Sequence, residues 1–106
     1  MFMKLNTPQI NSLISAFLTV DNSGEMRKFL RDLLTEEEIT EFAKRWQAAQ
    51  MLNKAVPYTD IVAKTGLSST TVARVAKWLK AGKGGYRLVL ARLGHHTNPS
   101  FGKRLS

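Results

Sequence analysis

A glycine and a group of small, hydroxylated and basic residues form the part of the sequence with the clearest chemical purpose. Gly66 follows a short apolar segment that contains Ile61 and Val62, and a second segment begins after Ser68. Two helices joined this closely need a turn residue that tolerates positive φ, and glycine does so without steric cost. We therefore predict a helix-turn-helix over residues 58–79, with Val62 where the two helices cross.

The second helix of this motif is predicted to have two chemically different faces. Its apolar residues share one side, on which Val72 packs together with Leu67 of the turn: Val72, Val75, Ala76 and Leu79. The opposite side is small, hydroxylated and cationic: Thr70, Ala73, Arg74 and Lys77. Such a face can approach base edges in the major groove of DNA. The predicted DNA contacts are Ser68, Ser69, Thr70, Thr71, Ala73, Arg74, Lys77, Lys64 and Lys83. The alternative is an ordinary helical hairpin with a glycine turn.

The charge of the chain is concentrated on the same half as the motif. The 106 residues carry a net charge of +8. Residues 1–43 hold four basic and seven acidic side chains, a net charge of −3, whereas residues 44–106 hold twelve basic side chains and one acid, Asp60, a net charge of +11. A solubility coat would be spread along the chain, so the asymmetry favours binding of a polyanion. Solvated helix faces with a basic tail are the alternative.

Apolar spacing predicts the helices that position the motif. Thr7 and Pro8 have the order of an N-cap and a first helical residue, and apolar residues then recur at helical intervals. Residues 21–24 are expected to form a turn, and the apolar stripe of residues 26–33 indicates a short second helix.

A capping box predicts where the third helix begins. Thr35 and Glu38 have the spacing at which each side chain accepts a hydrogen bond from the other residue's backbone amide. The apolar pattern then continues to about Asn53, and Pro57 ends it.

The remaining chain is predicted to form shorter elements. Two short helices cover about 59–65 and 69–80, glycines at 82, 84 and 85 break the chain, and 86–93 form a last helical segment. From Gly94 onward the sequence is polar and basic, so we expect a poorly ordered tail.

These elements predict an all-α fold with one domain over residues 1–93. Within it, residues 1–55 form a dimerisation core, 56–80 the helix-turn-helix and 81–93 a C-terminal helix, while 94–106 form a flexible basic tail. The first helices carry more apolar surface than a helical core of this size would bury. We therefore expect an intertwined homodimer whose monomer is not stable alone.

The same residues resemble the trp repressor family over about residues 26–93. The residues that carry the resemblance keep the family's order and spacing: Leu33, Leu34, Thr35, Glu36, Glu37, Glu38, Arg45, Leu52, Thr71, Val72, Arg74, Leu79 and Lys80. The segment 83–93 resembles the YerC/YecD-type subgroup of uncharacterised function more closely than the tryptophan-sensing repressors. The resemblance implies a homodimer whose two helix-turn-helix units face successive major grooves.

The resemblance also implies roles for three positions of an effector site. Thr35 would lie at the pocket mouth, Arg45 would stack on one face of an indole, and Arg74 would close the other face and meet a carboxylate. Two neighbours depart from the repressor pattern, because Val75 replaces a glycine that gives the ligand room and Trp78 replaces a small polar residue.

Trp78 gives a reason to expect that this effector pocket is filled by the protein itself. It lies four residues after Arg74, so the two side chains can stack in the slot. Thr35 and Arg45 also have simpler interpretations, as an N-cap and as an ion-pair partner of Glu41. The candidate effector residues are therefore Thr35, Arg45, Arg74 and Trp78, and we expect neither a corepressor nor a cofactor.

Other classes of function find little support in the residues. The chain has no cysteine, which excludes disulfides, thiolate nucleophiles and zinc–thiolate sites. His95 and His96 are adjacent with no third ligand nearby, so we expect no metal. We find neither convergent carboxylates nor a nucleophile beside a base, and expect no enzyme. The stretch 82–85 lacks the spacing of a phosphate loop and is interpreted as a helix stop that also contacts a backbone phosphate.

The sequence therefore predicts a sequence-specific DNA-binding transcriptional regulator, most simply a repressor. No apolar run approaches the roughly 18 residues that span a bilayer, and no signal-peptide apolar region follows Met1, so we expect a cytoplasmic bacterial protein that does not contact membranes. Two alternatives stay open. A non-specific DNA- or RNA-binding module would share the charge without needing a phased dimer. A protein-interaction adaptor with a vestigial helix-turn-helix would not explain the charge asymmetry.

Overall fold

The structure, a computed structural model, describes residues 3–96, and all regular secondary structure in this range is helical. The six helices are α1 (Pro8–Leu18), α2 (Ser23–Leu33), α3 (Glu36–Asn53), α4 (Tyr58–Thr65), α5 (Ser69–Ala81) and α6 (Gly85–His96). The predicted all-α fold is confirmed. No helix in residues 3–96 is long and apolar enough to cross a membrane.

The chain divides into two compact units, with the boundary inside α3. The N-terminal unit ends at Ile39 and contains α1, α2 and the first turn of α3. The C-terminal unit begins at Thr40 and contains the rest of α3 together with α4, α5 and α6.

Side-chain caps fix where α1 and α2 begin. The hydroxyl of Thr7 accepts a hydrogen bond from the Ile10 amide at 3.2 Å, and Pro8 is the first helical residue. In α2 the side chain of Asn22 accepts from the Glu25 amide at 2.9 Å. Because this cap acts within the predicted turn 21–24, α2 already begins at Ser23.

The N-terminal unit leaves its apolar side chains largely uncovered. Phe17 of α1 and Phe29 of α2 meet edge to face, with ring centroids 5.3 Å apart. Neither α1 nor α2 has a buried residue, and Leu18 is 80% exposed. The two helices therefore share an aromatic contact but form no enclosed core of their own.

The predicted capping box at the start of α3 is confirmed. The Glu38 amide donates to the Thr35 hydroxyl at 3.1 Å, and the Thr35 amide donates to the Glu38 carboxylate at 2.9 Å. Two otherwise unpaired backbone donors are thereby satisfied.

The hydrophobic core of the C-terminal unit lies where α3, α4 and α5 meet. Its members are buried and small or branched, which allows the helices to approach closely: Ala48, Ala49, Ile61, Leu67, Val72 and Val75. Leu67 and Val72 are thus confirmed as the residues packed between the helices of the motif.

The end of α3 contains a residue in an unusual backbone conformation. Ala55 has φ of +62°. The Val56 amide donates to the Met51 carbonyl and the Ala55 amide to the Leu52 carbonyl, which is the pattern of a Schellman motif. Glycine is the usual residue at the left-handed position of this motif, which Ala55 occupies here. The chain can thereby reverse before α4.

The last helix extends further than its apolar pattern indicates. α6 begins at Gly85 and continues through Gly94 to His96, so residues 94–96 are helical although the predicted tail begins at Gly94. The rest of the predicted tail, 97–106, lies outside the described residues.

Candidate nucleic-acid interface

The turn between α4 and α5 has the geometry that the helix-turn-helix prediction requires. Gly66 adopts the left-handed conformation, with φ of +78°, and its amide donates to the Val62 carbonyl at 2.9 Å. A Cβ at this position would not clash, since its nearest neighbour would be the Lys44 Nζ at 3.7 Å, an ordinary van der Waals distance. Glycine is therefore favoured here by backbone conformation rather than by crowding.

A buried hydroxyl, which sequence reasoning missed, completes this turn. Thr65 is buried, and its Oγ1 donates to the Ile61 carbonyl at 2.7 Å and accepts from the Leu67 amide at 3.1 Å. The hydroxyl thus links the last turn of α4 to the residue that enters the core. A threonine directly before the turn glycine was the available signal.

Some hydroxyl groups at the start of α5 cap the helix, whereas others make no hydrogen bond within residues 3–96. Ser68 is the N-cap, and its Oγ accepts from the Thr71 amide at 3.1 Å and donates to the Thr71 hydroxyl at 3.0 Å. Ser69 and Thr70 are exposed, and in residues 3–96 neither side chain makes a hydrogen bond. Of the predicted hydroxyl contacts, these two have donors and acceptors to offer a ligand.

The two predicted faces of α5 are both present. Val72, Val75 and Ala76 are buried and Leu79 is half-buried. On the other side, Thr70, Ala73, Arg74 and Lys77 are exposed. Within the described range, neither Arg74 nor Lys77 has an ion-pair or hydrogen-bond partner. The outer face of α5 therefore carries two positive charges that no anion within residues 3–96 neutralises.

Two further lysines flank this face in sequence. Lys64 is exposed in the last turn of α4, and Lys83 is exposed in the turn after α5. Asp60, at the start of α4, is exposed as well. The segment from α4 to α6 is thus strongly cationic, which favours contact with phosphates.

The candidate effector residues have other partners or none. Thr35 belongs to the N-terminal unit and caps α3. In the C-terminal unit, the Arg45 Nε contacts the Glu41 carboxylate at 3.2 Å, which is the ion pair of the simpler interpretation. The expected stack of Trp78 on Arg74 is not formed, since the described residues include no ring contact of Trp78 with a cation.

Trp78 instead lines an open cavity of about 450 Å³, which the sequence did not reveal. The cavity is mostly apolar, and three of its seven lining residues are aromatic, among them both tryptophans of the chain. The lining residues are Trp46, Trp78, Gly82, Lys83, Gly85, Tyr86 and Val89. A Cβ on Gly82 would lie 2.5 Å from the Trp78 carbonyl oxygen and 3.2 Å from the indole Cε3. Glycine at 82 is therefore required for the chain to turn this closely against Trp78.

The sequence of the chain has counterparts among known proteins. A family model described as Trp repressor protein matches residues 8–94. The uncharacterized protein YerC of Bacillus subtilis is 32% identical over 90 residues, which cover 85% of this chain and 86% of that protein. The Trp operon repressor homolog of Actinobacillus succinogenes is 32% identical over 81 residues, which cover 76% and 80%.

A solved structure is similar over most of the chain. It is a TrpR-like protein from Eubacterium eligens, with a TM-score of 0.81 and 37% sequence identity. The similarity covers 85% of this chain and 93% of that chain.

Proposed function

Because the chain belongs to the Trp repressor family, a family of DNA-binding transcription regulators, we propose that it is a sequence-specific repressor. It binds DNA as a homodimer and inserts α5 of each copy into the major groove. The observation that carries this proposal is the outer face of α5, which is exposed, hydroxylated and cationic while the inner face is buried.

The exposed residues suit the geometry of a recognition helix. Helix-turn-helix proteins contact base edges mainly through the N-terminal residues of the second helix. Ser69 and Thr70 occupy this end of α5, and their hydroxyls make no hydrogen bond within the described residues. The small side chain of Ala73 leaves room for the helix to approach the bases closely. Arg74 and Lys77 follow on the same side, where they can reach a guanine edge or a phosphate.

The anchoring of α5 supports reading rather than loose attachment. The inner face contributes Val72 and Val75 to the core, and Ser68 caps the helix. A helix held in this way presents its outer side chains in fixed positions, which base readout needs and simple charge attraction does not.

A matched set of variants tests the proposal. The probes are the duplex that the wild-type chain selects from a random library, a random duplex of equal length, and single-stranded RNA, each titrated at several salt concentrations. Thr70→Ala should weaken binding to the selected duplex alone, by ~1–3 kcal/mol, because a base contact is lost. Lys77→Ala should weaken binding to both duplexes and lower the salt slope by about one if it contacts phosphate.

Thr40→Ala and Lys28→Ala are the controls, because they remove the same groups from exposed positions outside α5. Equal, small effects of Thr70→Ala and Lys77→Ala would argue against groove reading by this face. Equal affinity of the wild type for all three probes would indicate a non-specific module, and no affinity would leave the adaptor alternative.

A further inference from the structure

Arg87, in the first turn of α6, holds the end of α5. Its Nε donates to the Leu79 carbonyl at 3.0 Å, and its Nη2 donates to the Lys80 carbonyl. These carbonyls belong to the last turn of α5, where the backbone acceptors have no partner within the helix. The guanidinium also lies at the negative end of the helix dipole, which favours a cation. One side chain thus both caps α5 and joins it to α6.

The neighbouring residue attaches the same turn of α6 to a different helix. Tyr86 and Trp46 of α3 lie nearly parallel, with ring centroids 6.4 Å apart and 19° between the ring planes. Two consecutive residues, Tyr86 and Arg87, therefore connect the first turn of α6 to α3 and to α5. Through these contacts the position of the end of α5 is fixed relative to α3, the helix that supplies Ala48 and Ala49 to the core.

The turn between α5 and α6 needs such a connection. Two of its three residues, Gly82 and Gly84, are glycines, Gly84 has φ of +91°, and Gly85 then begins α6. Glycine has the largest conformational freedom to lose, so this turn constrains the two helices weakly by itself. The bonds of Arg87 supply a constraint that the turn sequence does not.

We propose that Arg87 is a positioning residue for DNA reading: it sets the direction of α5 through the α5 carbonyls and makes no phosphate contact. The inference rests on the proposed function. Base readout requires side chains to be placed within a fraction of an ångström, whereas non-specific affinity follows from the number of phosphates neutralised. Loosening α5 should therefore reduce discrimination between sequences and leave the salt dependence as it was.

The experiment compares Arg87→Met, Arg87→Lys and the control Arg92→Met. Arg92 is exposed on the same helix and has no hydrogen bond or ion pair in the described part of the chain, so its replacement removes the charge alone. The probes are the duplex selected by the wild-type chain and a random duplex of equal length, measured at several salt concentrations. Circular dichroism and sedimentation confirm that each variant is folded in the same oligomeric state.

Arg87→Met should bind the selected duplex about tenfold more weakly, bind the random duplex within twofold of wild type, and keep the wild-type salt slope. Arg87→Lys, which can still donate to one or both carbonyls, should recover part of the discrimination, and Arg92→Met should keep all of it. A similar loss on both duplexes with a slope lower by about one would identify a phosphate contact and overturn the proposal.

The proposal is also overturned if both Arg87 variants keep the wild-type ratio of affinity for the selected duplex to affinity for the random duplex. If Arg87→Met does not fold, the ratio measured for Arg87→Lys decides, because that variant keeps the charge and part of the bonding. If the proposed function itself is wrong, the wild-type chain will select no duplex from the random library, an outcome that is distinct from any result with the Arg87 variants.

Discussion

Ser68 and Thr70 are both hydroxyl residues at the start of α5, but the structure gives their hydroxyls different tasks. The Ser68 hydroxyl caps the helix and pairs with Thr71, whereas the Thr70 side chain is exposed without an intramolecular bond in the described range. Losing an N-cap typically costs ~0.5–2 kcal/mol of stability. A defect of a Ser68 variant in DNA binding would therefore be partly a defect of folding, which makes Thr70 the cleaner reporter of base contact.

The residues around the predicted effector site lead to a prediction about L-tryptophan. The resemblance to the family places an effector beside position 75, where a glycine would leave room. Val75 is only 3% exposed and belongs to the core, so protein atoms take up that volume. A ligand shifts an equilibrium only through a difference in affinity for the two states. We therefore expect millimolar L-tryptophan to change the DNA affinity of the wild type by less than twofold.

The double variant Val75→Gly, Trp78→Ser is the comparison for this measurement, because it restores the residue types of the repressor pattern at both positions. A gain confined to the double variant would support an occluded site. A tenfold gain in the wild type, about 1.4 kcal/mol of coupling, would show that the site is open and the prediction wrong.

Helix periodicity predicted the exposed face of α5, because it determines which residues share a side whatever surrounds them. It could not place Trp78, since an indole can turn toward a partner four residues away or toward the next element. The structure directs it to the cavity that also contains Trp46 and Tyr86. The hydrogen bonds of Arg87 could not be predicted from the sequence for a related reason. Their acceptors lie seven and eight residues earlier in the chain, so the bonds depend on the conformation of the turn between the helices.

At the level of the helices, two positive-φ residues of the C-terminal unit, one after α3 and one after α4, make a matched pair. Gly66 ends α4 with φ of +78°, and Ala55 follows α3 with φ of +62°. The sequence predicted the first, because glycine is the expected residue there. It gave no sign of the second, because alanine is a good helix former and reveals a left-handed turn only through the bonds of Val56 and Ala55 to the last turn of α3.

This pair predicts substitutions with opposite effects on the free energy of unfolding. Ala55→Gly should stabilise the protein by about 0.5–1 kcal/mol, because the left-handed penalty of a Cβ exceeds the extra backbone entropy of glycine. Gly66→Ala should destabilise it by a similar amount, about 0.5–1 kcal/mol, for the same backbone reason, since a Cβ there meets only Lys44 at 3.7 Å.

Urea unfolding at one fixed protein concentration measures both variants, because the stability of the predicted homodimer would depend on concentration. Gly94→Ala serves as a reference for the change between the two residue types without left-handed backbone, since Gly94 lies in α6, has no positive φ, and a Cβ there would meet no described atom within 4 Å. A stabilisation by Gly66→Ala, or a loss of stability in Ala55→Gly, would contradict the conformational argument.

At the level of the whole chain, charge and apolar surface are divided between the two units. Basic residues are concentrated in the C-terminal unit, together with the buried core and the motif. The N-terminal unit has no buried residue in α1 or α2 and exposes apolar side chains of α1. Sequence reasoning anticipated the asymmetry of charge and the excess of apolar residues in the first helices, because such counts do not depend on knowing the packing. It could not identify which of the apolar side chains the fold leaves exposed.

The exposed face of α1 leads to the last prediction, that the chain is a homodimer in solution. Leu13, Ile14 and Leu18 are 39%, 48% and 80% exposed, an arrangement that would cost free energy in an isolated monomer. Ile14→Glu should therefore shift the molecule toward monomer in sedimentation equilibrium at micromolar concentration. Its DNA affinity should fall as well, since two linked reading units gain from binding together. Ser12→Glu adds the same charge two residues away, on the other side of the helix, where Ser12 is exposed and polar, and should leave both properties unchanged. A wild-type chain that sediments as a folded monomer would contradict the dimer. A fall in DNA affinity of equal size in both variants would show that the added negative charge acts on DNA binding directly, without dissociation.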